Sequence, residues 1–152
     1  MHQPPDRVYT TDDWYDGPRA GAADYRGAPH YYRSLYLDTP KWDPKEDRFE
    51  LTALSSEALD WAVEADRLFA RWDAARRAGT LPPEATEEAL HPDAPLVFPE
   101  DRDRYVDLQQ KLTAYLAAAR ARAFVVRGEF VVGSDSVVWS GPPESESGAP
   151  AG

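Results

Sequence analysis

Apolar and polar positions alternate with two different periods along this chain, and the period distinguishes helices from strands. Between residues 55 and 78, apolar side chains recur at steps of three and four, which is the period of an amphipathic helix. Ser55 or Ser56 is a suitable N-cap, and Gly79 is a typical C-terminal stop. The pattern therefore predicts one long helix, with a stripe made of Leu54, Ala58, Trp61, Ala65, Leu68, Trp72 and Ala75.

A second helical pattern spans residues 99–122 and follows a proline-rich connection at residues 80–98. Pro99 suits the first helical turn. The connection itself predicts at most two helical turns, at residues 84–90. The stripe that we expect to be buried in the second helix contains Tyr105, Leu108, Leu112, Tyr115, Leu116 and Ala119.

Alternation with a period of two predicts five strands, at residues 21–25, 30–37, 48–53, 123–132 and 136–140. The first two form a hairpin, in which Gly27 is available for a positive φ. In the strand at 30–37 we expect the side with Leu35 and Leu37 to face the core. The opposite side carries His30, Tyr32, Ser34 and Tyr36.

The last two strands form a closing hairpin around Gly133-Ser134-Asp135. Gly128 in this hairpin marks a bulge or the close approach of a helix. The residues expected to share a face with it are Phe124, Val126, Phe130 and Val132.

The element order β-β-β-α-α-β-β indicates an α+β fold, in which two helices cover one face of an antiparallel sheet. A chain of 152 residues is long enough to bury one core, so we expect a single domain. We place a polar arm at residues 1–19, the α+β domain at residues 20–140 and a disordered tail at residues 141–152.

Composition narrows the class of protein. The chain has a formal net charge of -10 and no cysteine. Without cysteine there is no disulfide framework, thiolate metal site or cysteine nucleophile, which favours a cytoplasmic protein. We find no signal-peptide pattern and no apolar run long enough to span a bilayer, so no membrane association is expected. The negative charge disfavours direct nucleic-acid binding and favours a basic protein partner.

His30 is the histidine best placed for chemistry, because a hairpin strand holds its ring rigidly. Asp24 on the paired strand is the candidate that would orient it, and Tyr32, Tyr36 or Trp61 would line an acid–base pocket. The alternative is that His30 is a half-buried strand residue bonded to the backbone. Serine-hydrolase, zinc-protease and phosphate-loop motifs are absent from the sequence.

Three acidic residues, Asp12, Asp13 and Asp16, lie close together near the N-terminus. Their spacing fits no calcium loop, because an EF-hand needs acids at alternating positions, a central glycine and a distal glutamate. We therefore expect solvated turn acids, with no bound metal and no cofactor.

Aromatic side chains are concentrated in the first third of the chain. Tyrosine and tryptophan combine a large apolar area with a polar group, and both are enriched at interfaces. Ordinary strand packing is the alternative explanation, because tyrosine is also a good strand former. The candidate binding face consists of Trp14, Tyr15, Tyr25, Tyr32, Tyr36 and Trp42.

The same region carries one resemblance. Residues 14–30 read W-Y-D-G-P-R-A-G-A-A-D-Y-R-G-A-P-H. This stretch resembles an N-terminal hairpin pattern of uncharacterised bacterial proteins, W-x-D-G-P-x-x-G-x-A-x-Y-x-G-x-P-H. The resemblance covers 17 of 152 residues. It implies a bacterial origin and no particular activity.

Two functions remain open. The first is a small acidic binding protein that modulates or neutralises a protein partner, as bacterial immunity and counter-defence proteins do. The second is a small-molecule enzyme or ligand-binding protein, with a pocket between sheet and helices and with His30 and Asp24 as an acid–base pair. An enclosed pocket around His30 would favour the second, and an exposed aromatic patch would favour the first.

Overall fold

The computed structural model describes residues 4–14, 18–35 and 47–144, with residues 13–14 and 141–144 described by their backbone. The strand pairings are antiparallel. The predicted α+β class, an antiparallel sheet with two helices, is confirmed. The elements in chain order are β1 (Asp6–Arg7), β2 (Asp13–Trp14), β3 (Pro18–Tyr25), β4 (Ala28–Ser34), β5 (Arg48–Ala53), α1 (Ser56–Ala78), α2 (Arg102–Ala119), β6 (Phe124–Phe130) and β7 (Ser136–Glu144).

Both helices form where the apolar period predicts them. The Ser55 side chain accepts a hydrogen bond from the Ala58 N–H at 3.1 Å, and Gly79 ends α1 with a φ of 71°. Helix α2 is shorter than the predicted range, because short 3₁₀ turns at Pro99–Asp101 and Arg120–Arg122 flank it. The buried helical residues are Ala58, Ala62, Ala65, Leu68 and Trp72 in α1, and Leu108, Leu112 and Ala119 in α2.

The N-terminal segment, residues 6–14, joins the two edges of the sheet. The strand order is β1-β7-β6-β5-β4-β3-β2, so β1 lies at one edge and β2 at the other. Next to β7, the Val8 N–H donates to the Asp135 carbonyl oxygen at 2.9 Å. Next to β3, the Tyr9 N–H donates to the Ala22 carbonyl oxygen at 2.8 Å. One short segment therefore closes a curled sheet and pairs both of its edges.

The curl gives the sheet two packed faces. Its inner face is filled by Ala23, Tyr25, Tyr32, Phe49, Leu51, Val126, Val137 and Trp139. Its outer face, on β3 to β5, is covered by the two helices through a second cluster made of Ala22, Leu54, Ala58, Ala62 and Leu112. The described residues thus form one core cluster inside the curled sheet, one between sheet and helices, and a third that joins the two helices to Val97 of their connection.

The expectation of a single core-facing side on β4 is wrong. Tyr32 is fully buried on the inner face, whereas Tyr31 and Arg33 lie half-buried on the outer face. Leu35 lies beyond the end of β4, and Leu37 lies outside the described residues. Alternation along a strand separates two sides, but the curvature of the sheet decides which side is more deeply buried.

Gly128 permits a close approach by a strand. A Cβ at this position would overlap the six-membered ring of Trp139, which lies directly opposite in the β6–β7 register. The Trp139 indole N–H reaches across the interior and donates to the Asp24 carbonyl oxygen at 2.7 Å. The expected approach at Gly128 is therefore present, but it comes from β7 and not from a helix.

The connection between α1 and α2, residues 79–101, is fixed by buried anchors. The Trp72 indole N–H donates to the Ala85 carbonyl oxygen at 2.8 Å, and the side chains of Ala85 and Val97 are buried. Its first part contains one short 3₁₀ turn, Pro83–Ala85. A long irregular segment is thus packed onto the helix pair.

The boundaries at the two ends of the chain differ in detail from the sequence interpretation. Residues 4–14 contribute β1 and β2 to the sheet, and β7 extends to Glu144. Residues 145–152 of the predicted tail lie outside the described residues. In the part of the chain that the structure describes, neither helix has the length and apolar character needed to cross a membrane.

Candidate functional site

The structure does not bring His30 and Asp24 together. In the β3–β4 register His30 lies opposite Ala23 and Asp24 lies opposite Pro29, so the two side chains point to opposite faces of the sheet. The Asp24 carboxylate lies on the outer face, where it accepts a hydrogen bond from the Tyr9 hydroxyl at 2.9 Å. Burial, followed by this hydrogen bond, raises the pKa of Tyr9.

His30 lies on the inner face and is 8 % exposed. Its Nδ1 is 2.8 Å from the Ala28 carbonyl oxygen. The ring packs edge-on against Tyr25 and Phe124, with centroid distances of 5.5 and 5.7 Å. These contacts correspond to the structural alternative stated for His30, a strand residue bonded to the backbone.

The two members of the aromatic set whose side chains are described lie in the core. Tyr25 and Tyr32 belong to the inner-face cluster. The Tyr32 hydroxyl donates to the Thr10 carbonyl oxygen at 3.0 Å, and burial raises the pKa of Tyr32 far above 10.0. The side chain of Trp14 and residues Tyr15, Tyr36 and Trp42 lie outside the described part of the chain.

A groove opens at the end of the curled sheet where β6 turns into β7. We call it the mouth groove. Its volume is about 970 Å³, and the inner-face side chains of Phe49 and Phe130 are among its lining residues. Further lining comes from the N-terminal segment, the beginning of β5 and the β6–β7 turn. This volume lies at the upper end of the range of ligand-binding sites.

The β6–β7 turn, residues 131–135, forms one wall of the mouth groove, and we call it the hairpin tip. The Val131 N–H donates to the Ser136 carbonyl oxygen at 3.0 Å, and the Ser134 N–H donates to the Val131 carbonyl oxygen at 3.3 Å. These bonds fix the turn, yet Val131 is 40 % and Val132 98 % exposed. The prediction that Val132 shares the face of Phe130 is wrong, because β6 ends at Phe130.

Charged groups of both signs surround the apolar lining of the mouth groove. Arg127 Nε lies 3.9 Å from an Asp47 carboxylate oxygen, and the side chains of Glu129 and Asp135 are exposed nearby. Arg19 is buried, with its guanidinium 3.5 Å from the Ser34 hydroxyl. An apolar centre with a charged rim is the usual composition of a surface that docks a protein.

The three N-terminal acids do not assemble into a site that can be described. Asp12 is exposed, the Asp13 side chain is not described, and Asp16 lies outside the described residues. Within residues 4–14, 18–35 and 47–144, no group of three or more His, Asp or Glu side chains is placed to hold a metal ion.

The hairpin tip is the feature that sequence reasoning missed. The signal was present, since Gly133-Ser134-Asp135 was identified as the turn centre. A turn of five residues, beginning at Val131 instead of Gly133, moves both valines out of the strand. Apolar character alone favoured the strand assignment for Val131 and Val132.

Comparisons of the chain with protein-family models, with curated proteins and with solved structures found no match.

Proposed function

We propose that this chain is a small cytoplasmic binding protein that modulates or neutralises a protein partner, as bacterial immunity and counter-defence proteins do. The mouth groove receives an apolar projection of the partner, and the hairpin tip packs against it. The observation that carries the proposal is Val132, which is 98 % exposed on the lining of the groove. The absence of cysteine supports the cytoplasmic assignment.

The position of Val132 matters more than its exposure. A single exposed valine is ordinary, because more than half of a protein surface is apolar. Here Phe49, Phe130, Val131 and Val132 line one concave surface. Full burial of one valine stabilises a complex by about 1.5 to 3 kcal/mol. The hydrogen bonds of the turn fix the hairpin tip before binding, so that its burial loses little conformational entropy.

The net charge of the chain favours a basic protein as the partner. The chain carries a formal net charge of -10, which attracts a basic protein and accelerates its association. On the rim, Asp47, Glu129 and Asp135 can meet cationic side chains, whereas the apolar lining provides the contact area. Binding to a basic protein is therefore expected to weaken as the salt concentration rises.

The acid–base alternative is not supported by the arrangement of its residues. The side chains of His30 and Asp24 lie on opposite faces of the sheet. His30 does not line the mouth groove. We therefore propose no catalytic role for the pair.

The decisive experiment compares two double variants of the tagged full chain. Val131→Ser/Val132→Ser alters the hairpin tip. Val63→Ser/Val106→Ser alters two helical valines that are 40 % and 37 % exposed and lie away from the groove. Both variants and the wild type are used to capture proteins from a lysate of the source organism, at about 50 and about 500 mM salt.

Support requires one protein that is recovered stoichiometrically by the wild type and the helix variant and is lost with the hairpin variant. Its purified form should bind the hairpin variant about tenfold more weakly, and its own activity should change on binding. Equal recovery by all three baits, or no stoichiometric protein at all, would overturn the proposal.

A further inference from the structure

A second concavity lies on the outer face of the sheet, beside the end of α2. We call it the arginine cleft. It is bounded by β4 and β5 on one side and by the end of α2 on the other, and its volume is about 390 Å³. This volume lies near the lower end of the range of small-molecule sites. Its lining consists of Tyr31, Arg33, Glu50, Thr52, Leu116, Ala117 and Arg120.

The strand register determines how the polar groups of the cleft are arranged. Tyr31 lies directly opposite Thr52, and Arg33 lies directly opposite Glu50. The charged side chains of the lining are Arg33, Glu50 and Arg120, two cationic and one anionic. Arg120 on the facing wall is exposed and forms no ion pair within the described residues. The lining of the cleft therefore carries a net positive charge, in a chain whose formal net charge is -10.

Thr52 gives the cleft an unused polar group. It is 6 % exposed and is the most buried residue of the lining. Among the residues that the structure describes, its hydroxyl forms no hydrogen bond. The Thr52 Oγ1 atom is not among the buried polar atoms without a partner, so it is accessible from the cleft. A ligand oxygen in the cleft would supply the missing partner.

The apolar part of the lining restricts the ligand further. Tyr31 and Leu116 are half-buried and pack against the cluster between sheet and helices. They offer a flat ring and an aliphatic wall within the same concavity. The end of α2 contributes a partial negative charge of roughly half an elementary charge, which is less than the full charge of Arg120. The net preference is for an anion with an apolar body.

We propose that the arginine cleft binds a small organic anion, with a single carboxylate or phosphate head and an apolar body. The head accepts hydrogen bonds from the Arg120 guanidinium and the Thr52 hydroxyl, since both oxyanions match the guanidinium geometry. The body packs against Tyr31 and Leu116. This site is separate from the mouth groove and does not depend on the function proposed for it.

The test is a titration of the full-length, isotope-labelled protein followed by amide chemical shifts. The probes are phenylacetate, phenyl phosphate, neutral phenylacetamide and inorganic phosphate. We expect saturable shifts in β4, β5 and residues 116–122 with at least one of the two aromatic anions. Phenylacetamide and inorganic phosphate should bind about tenfold more weakly or not at all. Whichever of the two aromatic anions binds more tightly shows whether the preferred head is a carboxylate or a phosphate.

Two variants and a matched control assign the contacts. Arg120→Gln and Thr52→Val should each weaken binding of the preferred anion by about tenfold. Arg122→Gln removes an exposed arginine from the same 3₁₀ turn that does not line the cleft, and it should leave the affinity unchanged. The proposal is overturned if neither aromatic anion gives saturable shifts, or if inorganic phosphate binds equally well. Equal effects of Arg120→Gln and Arg122→Gln would also overturn it.

Discussion

Tyr32 connects parts of the molecule that are far apart in the sequence. Its ring packs against Phe130 of β6, with a centroid distance of 5.0 Å, and against Phe49 of β5 at 6.0 Å. Its hydroxyl donates to the Thr10 carbonyl oxygen of the N-terminal segment at 3.0 Å. A strand tyrosine that sequence reasoning assigned to a binding surface is therefore a central residue of the core. The residue type was uninformative, because tyrosine suits both interfaces and strands.

The buried phenol predicts a loss of stability in alkali. Burial raises the pKa of folded Tyr32 above the ordinary value of 10.0, so the folded chain keeps a proton that the unfolded chain releases. The stabilisation is complete below pH 10 and declines as the pH rises further, by up to about 1.4 kcal/mol per pH unit for each such group. Urea unfolding at about pH 8 and about pH 11 measures the decline.

Tyr32→Phe isolates this contribution. The variant lacks the titrating group, so its free energy of unfolding should fall less steeply with pH than that of the wild type. Burial also raises the pKa values of Tyr9 and Tyr105, which should leave a residual slope. At pH 8 the variant should be less stable by about 1 to 3 kcal/mol, because the buried Thr10 carbonyl group loses its donor. Identical slopes in the two proteins would refute this account.

Elements defined by local signals were predictable, and elements defined by distant contacts were less so. Helix α1 starts after its predicted N-cap, ends at Gly79 and buries Ala58, Ala65, Leu68 and Trp72 of the predicted stripe, whereas Trp61 and Ala75 are half-buried. These features were predictable because period, cap and stop residue act within a few positions. The approximate positions of the strands were also predictable from the sequence. Alternation could not specify the curl, which buries the inner face of β4, or the length of the β6–β7 turn, which leaves Val132 exposed.

The connection between the helices yields a prediction at this scale. Trp72→Phe retains most of the ring but removes the N–H that bonds the Ala85 carbonyl oxygen. We expect a loss of about 1 to 3 kcal/mol and faster amide hydrogen exchange in residues 80–98. Exchange in β6 and β7 should not change, because these strands pack in the inner-face cluster, which contains neither Trp72 nor Ala85.

Trp61→Phe is the matched control. Trp61 lies on the same helix and is half-buried, but within the described residues its indole forms no hydrogen bond. Because Trp61 packs against the cluster that contains Val97, the comparison is made at residues 80–90, where the exchange pattern of this variant should resemble that of the wild type. If both variants loosen the connection equally, packing of the rings and not the bond to Ala85 holds this segment.

At the scale of the whole molecule, both candidate sites depend on arrangements that no sequence window contains. The mouth groove combines residues of the N-terminal segment, β5 and the β6–β7 turn, and the arginine cleft combines β4, β5 and the end of α2. The arginine cleft lies between the sheet and α2, but His30 and Asp24, which were expected to form a pocket between sheet and helices, do not line it. Single-sequence reasoning identifies which residues share a face of one element, whereas a site requires the register between elements.

Closure of the sheet by residues 6–14 predicts the effect of truncation. Removing residues 1–12 deletes the Thr10 groups that bond Tyr32 and the Ala22 N–H, and the Asp6 carboxylate that accepts from the N–H groups of Arg26 and Gly27. It also uncovers edges of β3 and β7, which can then pair with other chains. We expect a loss of at least about 4 kcal/mol in urea unfolding, or association of the truncated protein in light scattering.

Removal of residues 145–152 is the control for this truncation. These residues form the end of the predicted disordered tail, so their loss should change neither the unfolding midpoint nor the molecular mass in solution. The comparison separates the effect of shortening the chain from the effect of opening the sheet. A protein without residues 1–12 that keeps its stability and its oligomeric state would show that the strands hold their curl without the closing segment. The core at Tyr32 would then depend on side-chain packing alone, and the alkaline loss predicted for Tyr32 should persist in the truncated chain, because burial is the largest cause of its raised pKa.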